Sequence, residues 1–192
     1  SANLINKGCH STEAGFYYLN DEGYIKYFDF KTQKYVFLCN KPECLHDNDK
    51  CYAASDANCF TVHDGYVYIA DNDKHSLIRK NADGTNNTEI LMLCEQYNSS
   101  NNSIAIPTGG IAIGEKMYIT YQVDVFDSYS GETENRAILS LVDLDKKNES
   151  IIFDDKDTQY SILNLIDGYL YFFAYTGNVS NVNEGNCALI KM

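Results

Sequence analysis

The stretch CNKPECLHDNDKC, from Cys39 to Cys51, places three cysteines and a histidine in thirteen residues. As a spacing it reads C-x4-C-x-H-x4-C and offers Cys39, Cys44, His46 and Cys51 as soft or borderline ligands. Three thiolates and an imidazole in tetrahedral array suit zinc, and four protein ligands leave no open position for water, so a zinc ion held here would be structural. Cys44 and His46, two residues apart, can face one way on an extended segment. The same residues admit a second chemistry. A disulfide from Cys39 or Cys44 to Cys51 would close a small loop, stiffened by Pro42, and stabilise by about 2–3 kcal/mol in the chain-entropy model, with His46 left on the surface. Thiols that exchange between metal-bound and oxidised forms, making a metal or redox sensor, are a third reading. Spacing does not choose among them.

Elsewhere the reactive residues are scattered. Seven cysteines is a high number for a reduced cytosolic chain and an odd one for a pure disulfide framework. Cys9 lies apart, while Cys59, Cys94 and Cys187 fall in or beside apolar runs, where a thiol behaves as a small buried apolar group. His10, His63 and His75 are isolated, and His63, just before a turn signal, is expected to be exposed. The acidic groups at Asp71, Asp143 and Asp154 lack the full calcium-loop pattern and read as solvated turn carboxylates. The sequence contains no G-x-S-x-G, no H-E-x-x-H and no phosphate-cradling glycine loop.

The elements that must position the Cys/His stretch come from a repeat. AGFYYLN, DGYVYIA, GEKMYIT and DGYLYFF align on Tyr18, Tyr68, Tyr118 and Tyr171, at intervals of 50, 50 and 53 residues. Apolar residues alternate with others in each segment, as in a half-buried strand. Asp64-Gly65, Gly114-Glu115 and Asp167-Gly168 separate apolar runs as two-residue hairpin links, and a third run, a turn and a fourth run follow in the earlier units. Four short antiparallel strands per unit with no helical periodicity predict an all-β, β-propeller-like fold. About four four-stranded blades are expected in one domain, with units near 10–54, 55–102, 103–157 and 158–192. The first unit lacks a clear innermost strand and the last stops where a fourth strand should begin, so the chain is expected to belong to a longer propeller. The segments DVFDSYSGETEN and TGNVSNVNEGN read as mobile surface loops, where propellers commonly bind. The Cys/His stretch then lies on the connection from the first blade to the second.

Composition narrows the function classes. With 27 acidic and 15 basic residues the formal charge is −12, which repels phosphate backbones and anionic headgroups, so nucleic acid is not an expected partner. No apolar run approaches the roughly 18–20 residues of a membrane-spanning helix. Sixteen tyrosines and nine phenylalanines could stack on sugars, but at alternating strand positions they are expected mainly to fill the space between blades.

LCNKPECLHDNDKCYA after YFDFKTQKYVF, together with DGYVYIA and RKNADGT, resembles bacterial exported domains of unknown function, many of them lipoproteins, which look like TolB-type or low-density-lipoprotein-receptor-type propellers. The resemblance implies a propeller, export to the cell surface or beyond, and lipid anchoring as an option for a longer chain; it implies no known reaction. The reading that follows is a non-catalytic module binding a protein or glycan through blade loops, with an architectural Cys/His loop. The alternative is a polysaccharide-acting propeller enzyme, whose acids would come from different blades and leave no local signature.

Overall fold

The alternating segments become fifteen strands, joined by tight turns, in a computed structural model that describes residues 9–55, 57–167, 169–176 and 186–192. The chain forms two compact units, Ser1–Met92 and Leu93–Met192. In the first, β1 (Cys9–Ser11), β2 (Gly15–Leu19), β3 (Ile25–Asp29) and β4 (Lys34–Phe37) make one antiparallel meander. A second is made by β5 (Ala57–His63), β6 (Tyr66–Asp71), β7 (Ser76–Asn81) and β8 (Thr88–Met92). The second unit opens with a single helical turn, α1 (Glu95–Asn98), and continues into β9 (Ser103–Ile113), β10 (Lys116–Phe126), β11 (Thr133–Asp143) and β12 (Asn148–Lys156). It ends in the three-stranded sheet of β13 (Thr158–Ile166), β14 (Tyr169–Thr176) and β15 (Asn186–Lys191). These meanders are the expected propeller-like blades, and the last has three strands among the described residues.

Two expectations are corrected. The first blade does have an inner strand, β1, only three residues long and paired through Cys9↔Tyr18 and Ser11↔Phe16. Backbone pairing suffices to make such a strand, so the polar segment around it showed no alternation. Half of the segment DVFDSYSGETEN is strand: Asp124, Val125 and Phe126 pair with Asn135, Glu134 and Thr133, leaving 127–132 as the tip. There Asp127 accepts the Tyr129 N–H (2.8 Å) and the Ser130 hydroxyl (2.9 Å) on its carboxylate, and Gly131 takes a positive φ of 71°. The other expected loop, around 177–185, lies outside the described residues.

Turn chemistry follows the residue types. Asp64 and Gly65 both have positive φ, 48° and 76°, the hairpin geometry whose twist matches right-twisted strands. In the first unit one core cluster lies between the two sheets: Ile25 from the first, Phe60, Val67, Ile69 and Ile78 from the second, and Leu38, Cys51 and Ala53 from the connection. In the second unit Ala137 and Leu139 meet Tyr160, Leu170 and Phe172, with the rings of Tyr160 and Phe172 edge to face at 5.6 Å. Tyr17 and Tyr118 pack against these cores as expected. Phe16, Tyr18, Phe28, Phe30 and Tyr35 do not join them; they form a linked ring cluster on the first sheet, with Tyr35 59% exposed.

Gly84, in the β7–β8 turn, brings that turn against the start of the connection: φ is 84° and an added Cβ would lie 2.0 Å from the Leu38 carbonyl oxygen. Gly131 has φ 71° but open space around the same position. Gly131→Ala should therefore cost about 1–2 kcal/mol, the penalty of an L-residue in left-handed conformation. Gly84→Ala should cost about 3 kcal/mol or more, because backbone must also move. Urea unfolding of the two variants checks this; equal losses would show that the contact between Gly84 and Leu38 is not fixed.

Candidate metal centre

Both ends of the Cys/His connection are tied to one residue of β3. Ile25 accepts the Leu38 N–H at 2.9 Å and donates its own N–H to the Ala53 carbonyl at 2.8 Å. An antiparallel bridge between Tyr24 and Ala54 and a bond from Ser55 N–H to Gly23 O (2.9 Å) extend the return end along the residues just before that strand. The intervening residues must curl within the span of one strand position. They do so through Glu43 and His46, whose φ values are 59° and 56°. Convergence of Cys44 and His46 thus comes from left-handed turns, not from the extended alternation expected of an i, i+2 pair.

The result brings all four sequence-selected residues together. The three Sγ atoms and a ring nitrogen of His46 lie within 4.8 Å of one another, a set that could hold a metal ion. Around a tetrahedral zinc with bonds of about 2.3 Å, neighbouring sulfurs would stand roughly 3.8 Å apart, a small contraction from this spread. His46 Nδ1 is 3.2 Å from Cys51 Sγ, and the imidazole stacks on Phe37 at 4.2 Å with planes 10° apart. Lys26 Nζ lies over the same Phe37 ring at 4.5 Å. Cys39, Cys44 and His46 are half-buried, and Cys51 is buried at 4% exposure.

The thiols differ in how readily they ionise. Burial pushes Cys39 up, but the N–H groups of Lys41 and Tyr52 and the neighbouring Cys44 and Cys51 outweigh it and hold this thiol below its ordinary value. Burial pushes Cys51 up to about 11, despite the Ala53 N–H that points at its sulfur at 3.4 Å. All five cysteines whose side chains are described are free thiols. Cys59 and Cys94 are buried as expected, at 2% and 1% exposure; burial raises Cys59 to about 12. The side chains of Cys9, His10 and Cys187 lie outside the described set.

Sequence reasoning missed one participant. Lys80 on β7 is 4% exposed, and its ammonium donates to the carbonyls of Tyr52 (3.0 Å) and Ala54 (3.3 Å), on the turn that follows Cys51. Burial lowers its pKa, and the charges of Asp71, Cys51 and Cys39 oppose that shift. The signal was present in SLIRKN, where strand alternation puts Lys80 on the same face as Ile78. Cys51, Ile69, Ile78 and Lys80 floor a cleft of about 320 Å³ rimmed by Asp49, Asp71 and Asp73.

Other candidates have structural partners. His63 is not free on the surface: its side chain is 24% exposed and pairs with Asp64 at 3.1 Å. Asp71 and Asp143 cap their turns through the N–H groups of Lys74 and Lys146, both at 2.9 Å. Asp154 departs from the solvated-turn expectation, since it lies in β12 and accepts from Arg136 Nε and the Tyr97 hydroxyl, each at 2.7 Å. Glu149, also unflagged by the sequence, accepts from Tyr121 OH (2.6 Å), Ser140 Oγ (2.5 Å) and Cys94 N (2.5 Å), so both of its carboxylate oxygens are engaged within the second unit.

No protein-family model and no curated protein matches the chain. Solved structures do. One is the nidogen/laminin complex, at TM-score 0.58 and 10% identity over 96% of this chain and 64% of that one. Another is an oligogalacturonate lyase from Vibrio parahaemolyticus, at TM-score 0.52 and 12% identity over 88% and 45%. Both folds are β-propellers, and the chain described here is a β-propeller-like module. It spans less than two thirds of either chain it matches. At these identities the likeness is one of fold. Among the described residues no helix is long and apolar enough to cross a membrane.

Alkylation of the reduced, metal-free protein at pH 8 should label Cys39 and Cys44 well before Cys59 and Cys94, with peptide mass spectrometry as the readout. Uniform labelling would show that the strand thiols are not held in a closed core.

Proposed function

We propose that the chain is an exported or cell-surface propeller module without catalytic activity, which binds a protein or glycan through blade loops and is stiffened by one structural zinc. Cys39, Cys44, His46 and Cys51 are the ligands. The observation that carries the zinc reading is the gathering of four ligand atoms within 4.8 Å on a connection otherwise without regular structure. A disulfide would use two of the three sulfurs and leave the third thiol and the imidazole without a role, whereas a tetrahedral ion uses all four. When bound, zinc would supply no chemistry beyond cross-linking, because the donor set is complete.

The binding half of the reading rests on the β10–β11 hairpin. Tyr129 at its tip is 100% exposed and Phe126 at its base is 49% exposed. Tyrosine at the centre of a contact contributes disproportionately to affinity. The nidogen/laminin complex is an assembly of proteins, which supports a protein partner for a module of this fold. The resemblance of the Cys/His loop to bacterial exported domains supports the location, with lipid anchoring in a longer chain.

Elemental mass spectrometry on protein purified without an immobilised-metal column should find about one zinc per chain. Chelation should then raise hydrogen exchange across 38–55 more than elsewhere; absence of metal together with an intact intramolecular disulfide would replace the zinc reading. On a panel of extracellular proteins and glycans, a retained ligand should remain uncleaved, and Tyr129→Ala should weaken it about tenfold or more. Shortened glycan products would establish the enzyme alternative, and unchanged affinity would remove the hairpin tip from the binding surface.

A further inference from the structure

A zinc ion with three thiolates and one neutral imidazole carries a net negative charge. On this zinc reading, the charge would sit in a connection that contributes Leu38, Cys51 and Ala53 to the core between two sheets. Such a charge is costly to bury unless a positive group stands close by. Among the described residues, Lys80 is the one charged residue that is buried, at 4% exposure. It reaches the ligand loop from another sheet. Its two acceptors, Tyr52 O at 3.0 Å and Ala54 O at 3.3 Å, flank Ala53. Ala53 in turn directs its N–H at Cys51 Sγ (3.4 Å) and accepts the Ile25 N–H (2.8 Å). Lys80 therefore grips the turn that sets the position of Cys51, the most buried of the four ligands. Among the charges that act on Lys80, Asp71 is the largest favourable one, Lys74 opposes it, and Cys51 and Cys39 add to it.

We propose that Lys80 is a positioning and charge-compensating residue of the zinc centre: it fixes the Cys51 turn and offsets the net negative charge of the thiolate complex. The consequence is a coupling between zinc occupancy and the second sheet, since the group that stabilises the bound ion belongs to β7. Without zinc the ammonium stays on its two carbonyls, and without the ammonium the anionic complex loses its buried cation. Outer-shell groups of this kind commonly change metal affinity by about 10–100-fold.

The test compares wild type with Lys80→Met, which keeps an unbranched apolar stem, and Lys80→Arg, which keeps the charge. Zinc affinity is measured by competition with a chromophoric chelator, and thermal midpoints are measured both metal-free and zinc-loaded. Lys80→Met should weaken zinc binding about 10–100-fold and shrink the rise in midpoint produced by zinc, while Lys80→Arg should retain most of both. A purely structural lysine would instead lower the two midpoints equally and leave zinc affinity unchanged; that result overturns the proposal. Should Lys80→Met fail to fold, Lys80→Gln decides by the same readouts, because its amide still donates to a carbonyl while the charge is gone. Wild-type protein that binds no zinc would sink the metal reading itself, a failure visible before any variant is compared.

Discussion

A four-stranded sheet has two faces, and in this chain the connection from one sheet to the next must cross the gap between them while both stay covered. The outer strand β4 ends on one side of that gap and β5 begins on the other. Apart from their two ends, the residues between them join neither ladder, so their backbone groups and the space around them need another solution. The solution is a clamp. Ile25 uses its N–H and its carbonyl to hold the two ends of the connection, at 2.8 and 2.9 Å. Gly84 lets the β7–β8 turn approach the Leu38 carbonyl from the second sheet. With its ends held so near each other, the loop between must turn back on itself, and the thiols and imidazole are carried to one point.

This places polar and ionisable groups where an apolar core would ordinarily be. Leu38 and Ala53 bury alongside Phe60, Val67 and Ile69, yet Cys51 and Lys80 bury with them. Unpaired, each would be a penalty; here Lys80 donates to two carbonyls of the turn after Cys51, and the Ala53 N–H points at the Cys51 sulfur. The second unit meets a comparable problem with a carboxylate. Glu149 collects the hydroxyls of Tyr121 and Ser140 and the N–H of Cys94, tying the segment before α1 to the sheet by hydrogen bonds alone. Burial and the Glu149 charge push the Tyr121 hydroxyl well above its ordinary range, so it remains a donor.

The blades share a strand pattern but differ in how far their hairpins reach. β10 and β11 run for eleven residues each, against five for β2 and β3. The extra length lifts Tyr129 and Phe126 away from the core while the ladder below keeps the tip ordered by pairing as well as by turn bonds. A tip of this sort has a small entropic cost on binding, since little of its backbone remains to be fixed.

The repeat at about fifty residues, the hairpin links at Asp64-Gly65 and Gly114-Glu115, and the four ligand-type residues were all legible in the sequence, because they depend on local spacing and local φ preference. β1 was not legible, since its three residues, Cys9, His10 and Ser11, form it through pairing to β2 and not through any alternation of their own. The length of the β10–β11 hairpin was hidden for the same reason: Asp124 and Asn135 read as loop residues until they are seen opposite each other. Tertiary structure alone decided that Cys44 and His46 meet through left-handed turns, that Cys51 is the most buried of the set, and that Lys80 reaches the loop from a separate sheet. Burial and long-range contact are properties of the packed chain, and no local spacing records which distant side chain will stand beside a given turn.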